Sequence, residues 1–244
     1  MAAVEFTPGV PMITKLIPLL WFTGLSIPLA LAEGPAKPIQ PGTPQAPVQI
    51  ACIGDSITQG AGAAGGKSYP AQLQGLLGES WKVSNFGVSG RTLLKKGDFP
   101  YWKEKAYQKA LASKPNVVII MLGTNDTKPQ NWKHEAEFVN DYRDLVKSFL
   151  ALESKPQIFV CRPCPVPEPG NFGINDTNLK EVIKRVDGLA AEMNLGIIDM
   201  HAALVAKPQL LPDRVHPNTE GAGEMAKAAV AVLTGKPAPE PAAK

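Results

Sequence analysis

Val48-Gln49-Ile50-Ala51-Cys52-Ile53-Gly54-Asp55-Ser56 decides how this chain folds. Six uncharged, mostly apolar residues stop at a glycine, an acid and a hydroxyl. A run this short, bounded by turn formers, reads as a strand buried on both faces. Similar runs recur at Lys82–Phe86, Asn116–Leu122, Gln157–Cys161 and Leu195–Met200. Between them lie helical stripes. Leu179, Val182, Ile183, Val186, Leu189, Ala190 and Met193 follow the i, i+3, i+4, i+7 rule, and Asn175, Asp176 or Thr177 can cap that start. Phe138, Tyr142, Leu145, Val146 and Phe149 mark a second stripe, and Pro217-Asn218-Thr219-Glu220 opens a last helix running to about Leu233. Apolar strands alternating with amphipathic helices predict an α/β fold, a parallel sheet covered on both faces. Such sheets hold ligands beyond the carboxyl ends of their strands, so functional residues are expected there.

Outside this region the composition changes. The chain has 244 residues, 24 of them proline, about twice ordinary usage. Pro35, Pro38, Pro41, Pro44 and Pro47 precede the first strand at regular spacing, and Pro237, Pro239 and Pro241 punctuate the end. Residues 33–47 therefore read as a Pro-rich linker and 235–244 as a flexible tail. Upstream, Lys15 precedes an apolar stretch that ends in Ala30-Leu31-Ala32. A positive start, a short apolar segment and an A-x-A end mark a signal peptide over 1–32, with Met12 as an alternative start. The rival reading is an uncleaved anchor, against which Pro18 and Pro28 and the short length argue. No cysteine follows the small residues, which argues against a lipoprotein. The expected location is secreted or periplasmic, with no stable membrane span after cleavage. The net charge of +3 is spread along the chain without a basic run interleaved with aromatics, so no nucleic-acid partner is expected. Cys161 and Cys164 form a C-x-x-C that fits either a small disulfide or two buried thiols. No carboxylate and histidine spacing suggests a metal site, and no cofactor is expected.

Four polar segments follow the predicted strands: Gly54-Asp55-Ser56, Asn85-Phe86-Gly87-Val88-Ser89-Gly90, Gly123-Thr124-Asn125-Asp126 and Asp213-Arg214-Val215-His216-Pro217. Each alone reads equally as a turn. Together on one rim they offer a nucleophile and its base. A serine hydroxyl needs a partner to take its proton as it attacks, and an imidazole ordinarily titrates near working pH. Asp213, three residues before His216, is placed to accept from the other ring nitrogen. There is no G-x-S-x-G elbow.

In order and content these blocks resemble the motif set of the SGNH (GDSL-type) hydrolase superfamily, over roughly 48–233, with Ile57 where the family usually has leucine. The resemblance implies an SGNH hydrolase domain over 48–234, a three-layer α/β/α sandwich of flavodoxin-like type with strand order 2-1-3-4-5. It also implies a catalytic set of Ser56, Asp213 and His216. The oxyanion hole it implies comprises the backbone N–H groups of Ser56 and Gly87 and the amide of Asn125.

Arg91, Lys128, Trp132, Arg162, Asn171 and Phe172 fall on loops expected at the active rim, and of these Arg91, Trp132, Arg162, Asn171 and Phe172 are the expected substrate contacts. Asp55 and Asp126 read first as braces of their turns and second as contacts. His134 and His201 read as a solvated and a structural residue. A polar rim with aromatic faces suits a sugar ring, and Gly123 to Ile174 resembles secreted carbohydrate O-acetylesterases of the superfamily. The expected activity is hydrolysis of acetyl esters on a small-molecule or oligosaccharide substrate. Alternatives are a broad short-chain carboxylesterase or thioesterase, an acyltransferase, and a non-catalytic carbohydrate-binding protein.

Overall fold

Along the first strand, successive side chains enter opposite cores: Ile50 and Cys52 on one side, Ala51 and Ile53 on the other. This is seen in a computed structural model, which describes residues 47–239 together with Met1, Ala3, Pro38 and Ile39. Apart from those four, the expected signal peptide over 1–32, the Pro-rich stretch before residue 47 and residues 240–244 lie outside the described residues. The strands are β1 (Val48–Gly54), β2 (Trp81–Gly87), β3 (Val117–Met121), β4 (Gln157–Arg162) and β5 (Gly196–Asp199). They pair in the order β2-β1-β3-β4-β5, every pair parallel, as the resemblance implies.

The helices are α1 (Ser56–Gln59), α2 (Tyr69–Leu77), α3 (Lys105–Ala112), α4 (Pro129–Trp132), α5 (Phe138–Leu150), α6 (Asp176–Met193), α7 (Met200–Leu204) and α8 (Thr219–Thr234). On one face, α2, α7 and α8 bury Leu73, Leu204, Met225 and Ala229 against Val117, Ile119 and Phe159. On the other, α3, α5 and α6 bury Tyr107, Tyr142, Phe149 and Val186 against Val118, Ile120 and Val160. The result is the three-layer α/β/α sandwich.

Helix starts follow the capping residues. Asn175 accepts the N–H of Asn178 at 2.9 Å to open α6, and Asn218 that of Gly221 at 2.9 Å to open α8. The same chemistry shortens β5, expected to run to Met200. Asp199 accepts the N–H of Ala202 at 2.8 Å and turns the chain into α7. Ile39, within the Pro-rich stretch, donates its N–H to Leu233 at 2.7 Å and is half-buried against the core. No helix among the described residues is long and apolar enough to cross a membrane.

Of the two structural readings of the C-x-x-C, the fold adopts the thiols. Cys52, Cys161 and Cys164 are free and buried, and Cys164 Sγ lies 3.6 Å from Met225 Sδ. Burial pushes the Cys52 thiol up to about 12, against a smaller opposing pull from the Tyr69 hydroxyl. The native protein is therefore expected to give no reaction with a thiol-specific dye and three equivalents after denaturation. Rapid labelling of any thiol in the folded state would contradict this packing.

Candidate active site

Asp55 ends the turn after β1, and its Oδ1 accepts the Ile57 N–H at 3.0 Å, capping α1 and presenting Ser56 at the carboxyl edge of the sheet. Across the sequence, but 2.9 Å away, is His216 Nε2 against Ser56 Oγ. The imidazole is set by its own turn. His216 Nδ1 lies 2.7 Å from Asp213 Oδ2, while Asp213 Oδ1 accepts the N–H of Val215 at 2.9 Å and of His216 at 2.7 Å. With Nδ1 donating to a carboxylate, Nε2 is left to accept the serine hydroxyl. Burial pushes Asp213 up, but the backbone and ring of His216 and the Val215 N–H outweigh it and hold the carboxyl below its ordinary value. An ionised Asp213 keeps that tautomer in place.

Donors surround the same point. A cleft of about 280 Å³ is lined by Ser56, Ser89, Gly90, Asn125, Lys128, Phe172, Ile174 and His216. The Asn125 amide is suspended between Asp55 Oδ2 at 3.3 Å and the Arg91 carbonyl at 3.2 Å. The backbone contribution expected from Gly87 is placed differently. Gly87 ends β2, its N–H donates to Asn85 Oδ1 at 2.9 Å, and it does not line the cleft. Val88 donates to the Gly54 carbonyl at 3.0 Å and Ser89 to Gln59 Oε1 at 2.7 Å. Three successive N–H groups are thus committed. The next, that of Gly90, has no acceptor among the described residues, and Gly90 is on the cleft wall with φ +78°. Gly87 is required for another reason: a Cβ there would lie 2.3 Å from the Gln59 nitrogen, so its bareness lets β2 pass beneath α1.

The expected substrate contacts divide. Phe172 is on the wall, 57% exposed, with its ring centroid 5.7 Å from that of His216. Asn171 stands behind it and donates its side-chain amide to the Asp213 carbonyl at 3.0 Å. Arg91 is turned to Glu104 at 2.8 Å and lies over Phe99. Trp132 packs on Phe138 beneath the Arg185 guanidinium, away from the cleft. Arg162 pairs with Asp187 at 2.8 Å and Asp199 at 2.5 Å and lines a separate groove with His201. Asp55 is 1% exposed and Asp126 fully buried, and neither is among the residues that line the cleft. Asp126 accepts the N–H of Leu93 at 3.0 Å and of Leu94 at 2.8 Å, anchoring the loop after β2. Ser89, Gly90 and Ile174 were not singled out as contacts from sequence. The signal for Gly90 was its distance beyond the strand end, where N–H groups are no longer held by the ladder.

An imidazole bridging a serine and a carboxylate at the carboxyl edge of a five-stranded parallel α/β sheet defines an SGNH-type hydrolase. The chain matches the model of the GDSL-like lipase/acylhydrolase family over residues 52–223 and belongs to that family. It is 42% identical over 207 residues to an acetylxylan esterase of Xylanibacter ruminicola, covering 76% of this chain and 43% of that protein, less than half its length. It is 30% identical over 205 residues to an acetylxylan esterase of Geobacillus stearothermophilus, covering 72% of this chain and 89% of the relative. A solved structure, a catalytic mutant of an acetylxylan esterase from Geobacillus stearothermophilus, superimposes with TM-score 0.60 at 26% identity, over 77% of this chain and 94% of that one.

Two predictions follow from the packing. Gly87→Ala forces α1 off β2 and is expected to lower stability by about 1–3 kcal/mol; an unchanged thermal midpoint would contradict the close approach. Burial pushes Asp126 up to about 7, against the N–H groups of Leu94 and Leu93 and with help from the nearby Asp55. The folded chain then keeps a proton that the unfolded chain sheds near pH 4, so this group's contribution to stability falls as pH rises from about 4 to about 7. Thermal unfolding across that window should show the wild type losing stability with rising pH relative to Asp126→Asn. A constant difference between the two would refute it.

Proposed function

We propose that this chain is an exported serine esterase that removes acetyl groups from carbohydrate, with acetylated xylan as its substrate, through an acyl-enzyme on Ser56. The observation that carries the reading is the convergence of Ser56, His216 and the amide of Asn125 on one small cleft beside an exposed aromatic ring. The Ser56 hydroxyl passes its proton to His216 Nε2 while Oγ bonds to the acetyl carbon. Charge that develops on the carbonyl oxygen is met by the N–H groups of Ser56 and Gly90 and by Asn125 Nδ2, which gives up its long bond to the Arg91 carbonyl to reach it. The C–O bond to the sugar breaks, and the imidazolium returns its proton to the departing sugar oxygen. Water, deprotonated by the same imidazole, attacks the acetyl-serine; the Oγ–C bond breaks, the imidazolium returns the proton to Ser56 Oγ, and acetate is released.

Several features favour a short acyl group on a sugar. At about 280 Å³ the cleft is near the lower end of small-molecule sites and suits an acetyl group with the rest of the substrate outside. Phe172 offers the flat apolar face on which a sugar ring stacks. The family members quoted above are described as acetylxylan esterases. The apolar leader ending in Ala30-Leu31-Ala32 supports export to where such a polymer is met.

Ser56→Ala is expected to lower aryl acetate hydrolysis by about 10⁴ or more with thermal unfolding nearly unchanged. Asn125→Ala should lower kcat by about 10²–10³ with a smaller change in KM. Undiminished turnover in Ser56→Ala would discard the nucleophile, and failure of the wild type to release acetate from acetylated xylan would discard the substrate.

A further inference from the structure

Among the described residues, Lys128 is the one lysine or arginine on the wall of the cleft. Its backbone is pinned at the start of α4: the N–H donates to the Asn125 carbonyl at 3.3 Å, and its own carbonyl accepts the N–H of Asn131 and of Trp132, each at 2.8 Å. Its stem runs beside the loop that presents Phe172. A Cβ added at Gly173 would sit 3.7 Å from Lys128 Cγ. The residue is half-buried, and among the described residues it forms no ion pair.

Other basic side chains of the rim are engaged. Arg91 holds Glu104, Arg162 holds Asp187 and Asp199, and Arg214 Nε donates to the Gly170 carbonyl at 3.1 Å. The carboxylates of the site are engaged as well. Asp55 has its oxygens on the Ile57 N–H and the Asn125 amide, and Asp213 has its own on Val215 and His216. An ammonium gains most from a counter-charge in direct contact, and the buried Asp55 carboxylate feels Lys128 only from a distance with both its oxygens engaged, so among the described residues none is in contact with it. The complement must then come from the ligand. On the same wall, Phe172 offers a ring-stacking face, so the anion and the sugar belong to one molecule.

We infer that Lys128 is a specificity-determining residue that binds a carboxylate on the sugar chain carrying the ester, so that the preferred substrate is an acetylated polysaccharide with uronic-acid-type groups near the acetyl. This rests on the carbohydrate-esterase reading given above. Acetate, the product, offers the same chemistry from a second source, and the test separates the two.

The measurement is kcat/KM for acetate release from a neutral acetylated xylo-oligosaccharide and from the same oligosaccharide carrying a glucuronic acid branch beside the acetyl. At low ionic strength the wild type is expected to prefer the acidic substrate by about tenfold, the scale of one charge-assisted hydrogen bond. About 0.5 M NaCl should bring the two to within about twofold by screening. Lys128→Gln should do the same, while Lys128→Arg keeps the preference. The salt series uses the unmodified enzyme, so the result stands even if a variant folds poorly. Equal wild-type values at low salt, or a ratio that Lys128→Gln leaves intact, would overturn the inference while leaving the esterase reading in place. So would a variant that loses only inhibition by added acetate. No release from either oligosaccharide by a wild type that still cleaves aryl acetate would remove the carbohydrate reading, and this inference with it.

Discussion

The meeting of Ser56, Gly90 and Asn125 depends on the parallel register of β2, β1 and β3. Gly54 stands opposite Gly87 on one side and Met121 on the other. Three turns therefore leave the sheet at one edge, carrying Ser56, Gly90 and Asn125. Because side chains alternate between the two cores, a slip of one residue would exchange the contents of both layers. The register is thus held by burial on both faces, and the site inherits its precision from the core. The Gly54 carbonyl, accepting the Val88 N–H at 3.0 Å, ties the second turn directly to the first.

Carboxylates do two different kinds of work on this rim. Asp55 and Asp126 accept backbone N–H groups with no cation in contact. Burial, the largest influence on each, pushes Asp55 up to about 6 and Asp126 to about 7. Asp213 is partly open to water, takes two backbone N–H groups and faces the imidazole, and its acidity is strengthened. The same side chain braces a loop in one setting and fixes a tautomer in the other. Asp55 joins the two roles, because it caps the helix that begins with Ser56 and also holds the Asn125 amide.

The wall opposite the serine is a pair of interlocked loops. Asn171 reaches the Asp213 carbonyl, and Arg214 reaches back to the Gly170 carbonyl at 3.1 Å. Phe172 at φ +54° and Arg214 at φ +67° are both left-handed without being glycine, an arrangement that costs on the order of 1 kcal/mol each. These reciprocal bonds hold that strain. They tie the loop whose ring faces the cleft to the turn that carries the base.

The sequence by itself determined the sheet, the four segments at its edge and the Asp213–His216 pair. Apolar runs and stripes declare burial, and a separation of three residues brings a carboxylate to an imidazole within a single turn. Capping side chains placed the starts of α6 and α8 almost to the residue. Only the tertiary structure decided which glycine leaves a free N–H toward the cleft, because Asn85 and Gln59 claim the earlier donors in space. It likewise turned Arg91 and Arg162 to carboxylates elsewhere in the chain, moved Trp132 beneath Arg185, and left Lys128 on the cleft wall with no ion pair among the described residues. The physical reason is reach. Long polar side chains take partners across the fold, and a linear pattern records what is buried more faithfully than what is opposed.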